Sequence, residues 1–169
     1  MKRILLLVAA SSAFILGGCG PKGSTPPPAP KKDAATVQRE WLYGARAAAT
    51  EIVWQPSGLG IRMLASGEGS PPKSTDRVRV HFKCVLKDGT VVDDSQARGG
   101  PVDLTVNRLI PGWAESMAAL RPGGRAEFFI PPSLGYGMSG GAGIPAGSGL
   151  IFEVELLAVT PETPLEKKP

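Results

Sequence analysis

Apolar and polar residues alternate along "VRVHFKCVL", residues 78–86: Val78, Val80, Phe82, Cys84 and Leu86 share one face, Arg79, His81 and Lys83 the other. A period of two marks a strand with one face buried. "RAEFFI" (125–130) reads as a further strand, and the same alternation runs through "GLGIRML" (58–64) and "LIFEVELLAV" (150–159). In the last of these, Phe152, Val154 and Leu156 point inward and Glu153 and Glu155 outward. "KDG" at 87–89 marks a hairpin turn, and shorter apolar segments follow at "TVV" (90–92) and "VDLTV" (102–106). The period then changes. "PGWAESMAAL" (111–120) opens on a proline suited to a helix start and sets Trp113, Met117 and Leu120 on one stripe, and "RPGG" stops it. The pattern predicts an α+β domain of about 100 residues, an antiparallel sheet with one short amphipathic helix, enough for a single core.

Upstream, "ATVQREWLYGARAAAT" (35–50) has helical spacing, with Val37, Trp41, Ala45 and Ala48 near one face and Gly44 weakening the middle. Such a segment either docks on the domain or offers its exposed aromatics to a second copy. Before it, "GPKGSTPPPAPKKD" (20–33) is a proline-rich spacer that cannot pack; in polyproline form it reaches roughly 40 Å at about 3.1 Å per residue. The chain opens with Lys2, Arg3 and the apolar run "ILLLVAASSAFIL", a secretory leader rather than a bilayer span. The expected organisation is therefore leader 1–18, spacer 19–34, helical extension 35–56, folded domain 57–160 and a frayed tail 161–169.

Charge and cysteine content narrow the chemistry. The formal charge falls from +4 to +2 once Lys2 and Arg3 are set aside, and no long run of Lys or Arg remains. A nucleic-acid surface is thereby disfavoured. Cys84 lies on the apolar face of its strand while His81, the one histidine, points to the other side, so a Cys–His nucleophile is not formed. "GYGMSGG" (135–141) fits G-x-G-x-x-G, but Pro145 and the glycines beyond it leave no helix to receive a phosphate.

Two resemblances remain. "LGGC" (16–19), directly after the apolar run, resembles the bacterial lipoprotein cleavage box. It implies cleavage before Cys19, lipid on that cysteine and a membrane anchor; the other reading is an ordinary leader with an incidental cysteine. In a two-membrane envelope, Gly20 after the cysteine resembles the outer-membrane sorting pattern, facing the periplasm.

From about Gly58 to Val159, "VRVHF…LKDGTVVDDS", "LIPGWAESMAALRPGGRAEFFIPPSLGYG", "GIP" and "LIFEVELL" together resemble the FKBP-type peptidyl-prolyl cis-trans isomerases. The resemblance implies a sheet wrapped around the helix with a shallow apolar pocket between them. It places Trp113 on the pocket floor, Phe82 where tyrosine is usual, Asp93 as the pocket carboxylate and Phe152 on the last strand. Leu109 and Ile110 form the rim, with the Ile110 amide gripping a ligand carbonyl. The Tyr136 hydroxyl bonds the ligand, and Ile144 sits on a flap beyond it. Val92 and Val102 stand where the family commonly has phenylalanine. The implied activity is prolyl isomerisation on exported polypeptides, open to macrolide inhibitors and needing no metal or cofactor; the alternative is a proline-binding or chaperone module without turnover.

Overall fold

The computed structural model describes residues 32–141 and 143–162. The leader, Cys19, the spacer up to Lys31 and the tail beyond Glu162 lie outside the described residues. Among the described residues, seven strands form one antiparallel sheet: β1 (Val53–Trp54), β2 (Gly60–Ala65), β3 (Arg77–Val85), β4 (Val91–Asp94), β5 (Val102–Thr105), β6 (Arg125–Ile130) and β7 (Leu150–Thr160). Their order is β1-β2-β6-β7-β3-β4, with β5 also on β3. Residues 77–80 of β3 pair with β5 and residues 83–85 with β4, so both short strands share one edge of β3. The segment between them is looped out beside that edge.

Helix α2 (Pro111–Met117) lies on the concave face. Its stripe behaves as the spacing predicts: Trp113, Met117 and Leu120 are buried against Val78, Val80, Phe128, Phe152, Val154 and Leu156. Contact with β6 is close because residue 112 has no side chain; a Cβ there would sit 2.5 Å from Ile130 Cγ2. Ser116 Oγ donates to the Gly112 carbonyl at 2.5 Å, so the one polar residue on the buried stripe is satisfied within its own helix.

The N-terminal segment differs from its expectation. Helix α1 (Ala34–Tyr43) starts at Asp33, whose side chain accepts from the Thr36 amide, and stops at Gly44, where φ is 62°. A 3-10 turn continues through Gly44–Ala48. The segment docks, but not through the face that the spacing marks: Val37 is 52% and Trp41 62% exposed, Ala45 and Ala48 are exposed, and Leu42 and Tyr43 are buried instead. The helix docks through its last turn only, so its contact is set by what lies beneath that turn rather than by a full-length stripe. Leu42, Tyr43 and Ile52 pack on the convex face over Val85, Phe129 and Ile151. Residues 53–54, placed in a helical extension, form β1 and pair with β2. The compact unit accordingly starts at Lys32, well before residue 57. Among the described residues, no helix is long and apolar enough to cross a membrane.

Candidate functional site: an apolar cavity between sheet and helix

A cavity of about 370 Å³ opens between α2, the concave face of the sheet and the loop after β6. Each wall follows from local structure. Period-two alternation turns Phe82 and Cys84 of β3, Val92 of β4 and Phe152 of β7 toward it. Val102 and Leu104 of β5 close one side. Trp113 enters from the first turn of α2 and is 4% exposed.

The floor is aromatic and mutually perpendicular. The Trp113 ring stands edge-to-face with Phe152 (5.4 Å, 90°), Phe82 (5.6 Å, 87°) and Phe128 (6.4 Å, 82°). T-shaped pairs of this kind are favoured by ring quadrupoles, which fixes the Trp113 plane from three sides. Phe82 is held through its backbone as well: its N–H donates to the Ser95 side chain at 3.0 Å and its carbonyl accepts from the Ser95 amide at 2.9 Å. Ser95 is fully buried, so this clasp is shielded from water.

Polar groups are few and lie at the mouth. Asp93 accepts from Arg98 at 2.6 Å, both lining the cavity. Ile110 precedes α2; its carbonyl accepts from Trp113 and Ala114, while its N–H has no backbone acceptor among the described residues. Tyr136, 38% exposed, stands on the rim, and Ile144, 7% exposed, on the returning limb of the same loop. Burial, and then the charge of Asp93, push the Cys84 thiol up to about 12. A protonated, buried thiol is no nucleophile. The arrangement can therefore bind an apolar ring and hold neighbouring carbonyls, and it offers no group for covalent chemistry.

All ten cavity residues nominated from the sequence line this one space: Phe82, Val92, Asp93, Val102, Leu109, Ile110, Trp113, Tyr136, Ile144 and Phe152. Cys19 lies outside the described residues. Sequence reasoning missed four lining residues: Cys84, Arg98, Leu104 and Arg108. The alternation of β3 and β5 carried a signal for Cys84 and Leu104, whereas the two arginines sit in loop and turn, where no period applies. A second depression, about 230 Å³, lies where His81, Lys83, Arg125, Glu153 and Glu155 meet; its charged walls do not suit an apolar ring. No group of acidic, histidine or cysteine side chains among the described residues could hold a metal ion.

Comparison with known proteins agrees with this geometry. The family model for FKBP-type peptidyl-prolyl cis-trans isomerases matches residues 68–157, more than half of the chain. The chain is 51% identical over 104 residues to the FKBP-type 22 kDa peptidyl-prolyl cis-trans isomerase of Escherichia coli, covering 61% of this chain and 50% of that protein. It is 41% identical over 113 residues to the FKBP-type isomerase FkpA of the same organism, covering 67% of this chain and 42% of FkpA. The chain thus spans about half the length of the curated relatives it matches. The crystal structure of E. coli FkpA superposes with a TM-score of 0.69 at 37% identity, over 75% of this chain and 58% of that one. A prolyl isomerase structure from Pseudomonas syringae pv. tomato gives 0.66 at 26% identity, over 76% and 95%. With the family's sheet, its single crossing helix and an apolar cavity between them all present, the chain belongs to the FKBP-type peptidyl-prolyl cis-trans isomerases.

Proposed function

We propose that this chain is a peptidyl-prolyl cis-trans isomerase that assists the folding of exported proteins at a bacterial cell envelope. The observation that carries the catalytic part is the apolar cavity floored by Trp113, with an Ile110 N–H at its mouth that has no backbone acceptor among the described residues. Rotation about a peptide bond meets a barrier of about 18–20 kcal/mol, because resonance gives the C–N bond double-bond character. Left alone, an X-Pro bond takes on the order of 10–100 s to isomerise. A dry apolar cavity takes the prolyl ring and disfavours the planar amide, whose charge separation exceeds that of the twisted form. The Ile110 N–H and the Tyr136 hydroxyl donate to carbonyls of the substrate backbone and hold it while the bond turns. Rate enhancement then comes from tighter binding of the twisted state than of either planar isomer. Asp93 takes no acid or base role in this scheme; paired with Arg98, it shapes the cavity mouth.

Support for the envelope location is sequence alone: the leader, "LGGC" with Cys19 as lipid acceptor, and the spacer behind it. Gly20 after that cysteine favours the outer membrane, with the domain facing the periplasm. Clients are proline-containing exported polypeptides, and macrolides that fill the same cavity are expected inhibitors. A second reading, a proline-binding or chaperone module without turnover, is favoured by Val92 and Val102, which leave the cavity fewer aromatic walls.

The deciding experiment measures isomerisation of a proline tetrapeptide by the wild-type protein and by Trp113→Leu. Catalysis by the wild type, lowered roughly tenfold or more in the folded variant (about 1.4 kcal/mol), is the expected result. Peptide binding with no acceleration would leave the binding-module reading standing. Equal catalysis by the two proteins would remove Trp113 from the site.

A further inference from the structure

The mouth of the cavity is not electrically neutral. Its charged lining residues are Asp93, Arg98 and Arg108. The first two neutralise each other across 2.6 Å. Arg108 ends the 3-10 turn Val106–Arg108 and directly precedes the rim residues Leu109 and Ile110. Among the described residues, no carboxylate lies within ion-pair distance of it.

None of the neighbouring acids pairs with Arg108. Asp103 lies between Val102 and Leu104, which face the cavity, so strand alternation directs it to the opposite side. Glu115 of α2 accepts from Ser57 at 2.6 Å. Glu162 lines a depression with Arg77 and Arg108, and among the described residues it makes an ion pair with neither. The rim therefore carries one arginine without an ion-pair partner among the described residues, a planar donor fork suited to carboxylates.

A polypeptide whose proline fills the cavity has to lay its flanking residues across this rim. Extended chain advances roughly 3.3–3.6 Å per residue, which keeps the residues next to the proline within reach of an arginine side chain. We propose that Arg108 is a specificity-determining residue, and that the favoured substrates are prolyl segments carrying Asp or Glu beside the proline. This rests on the isomerase reading above. Arg108 pairs with the substrate carboxylate, while a lysine in the same place meets like charge. Because the site is solvent-exposed, the preference is modest and weakens as salt rises.

The test uses the full chain and two tetrapeptide series, one varying the residue before proline and one the residue after, each as Glu, Gln, Leu or Lys. Isomerisation is read by NMR exchange, which needs no coupling protease. In at least one series the Glu peptide should exceed the Lys peptide in kcat/KM by about fivefold at low salt, equivalent to about 1 kcal/mol. Arg108→Gln should bring that ratio within about twofold, and Arg108→Glu should invert it. Wild-type turnover of the Leu peptides with equal Glu and Lys rates in both series would overturn the inference while leaving the isomerase reading intact. So would a Glu-to-Lys ratio that neither folded variant changes. Absence of turnover on every peptide would instead remove the isomerase reading, and this inference with it.

Discussion

At the scale of single residues, the cavity joins a rigid aromatic floor to a smaller aliphatic wall. Trp113, Phe82 and Phe152 hold one another at ring distances of 5.4–6.2 Å. Opposite them, Val92 and Val102 are only partly buried and line open space. Val92→Phe should extend an apolar ring into that space. Added contact of about 40 Å², at roughly 25 cal/mol per Å², is worth about 1 kcal/mol. If the twisted amide receives it preferentially, kcat/KM rises about fivefold. Overpacking costs about 1–3 kcal/mol where no space exists, so the melting temperature must be measured alongside the rate. A stable variant with equal or lower kcat/KM would show that the valine does not limit catalysis.

At the scale of elements, the point of interest is the seat of α1. Gly149, just before β7, lies under the last turn of the helix. A Cβ there would stand 2.7 Å from Tyr43 Cε1 and 3.0 Å from the Leu42 carbonyl oxygen. The second contact is backbone, so relief requires α1 or the 143–149 limb to move. That limb carries Ile144 into the cavity, which couples a structural contact on one face of the sheet to the site on the other. Gly149→Ala should therefore lower stability by about 1–3 kcal/mol and reduce kcat/KM together with it. Thermal melting and the peptide assay check both. An unchanged melting temperature would show that α1 does not bear on residue 149. Tyr43 makes this seat more than a greasy contact: its ring meets Phe129 edge-on at 5.4 Å and Trp54 at 5.8 Å, and Arg39 lies over the Trp54 ring at 4.3 Å. Burial drives its phenol pKa upward, which keeps the hydroxyl neutral.

At the scale of the whole molecule, the proposed anchor and spacer would tether the domain to a membrane while holding its apolar cavity off the surface. Cys19→Ser tests that placement. The variant should lose incorporation of labelled fatty acid and accumulate uncleaved, while the isomerase domain keeps its peptide activity. Retention of label and normal processing would sink the lipoprotein reading and leave the domain's chemistry untouched.

What the sequence determined by itself was local and periodic. Alternation at Val78, Val80 and Cys84, and the stripe Trp113, Met117 and Leu120, named the buried faces of β3 and α2, because side-chain direction repeats every two residues in a strand and about every 3.6 in a helix. The family words, read in order, nominated ten residues that the structure gathers around one cavity. The convex face was a different matter. "EFFI" gave a hint, since Phe128 and Phe129 cannot both face one side, yet both are fully buried. Only the order β2-β6-β7-β3 sets Phe129, Ile151 and Val85 side by side, and only that patch decides that Leu42 and Tyr43, rather than the Val37–Trp41 stripe, meet the sheet. Arg98 and Arg108 were illegible for the same reason. Their positions depend on how a loop and a turn cross the cavity mouth, and non-local pairing of strands far apart in the chain sets that path, with no period along the sequence to record it.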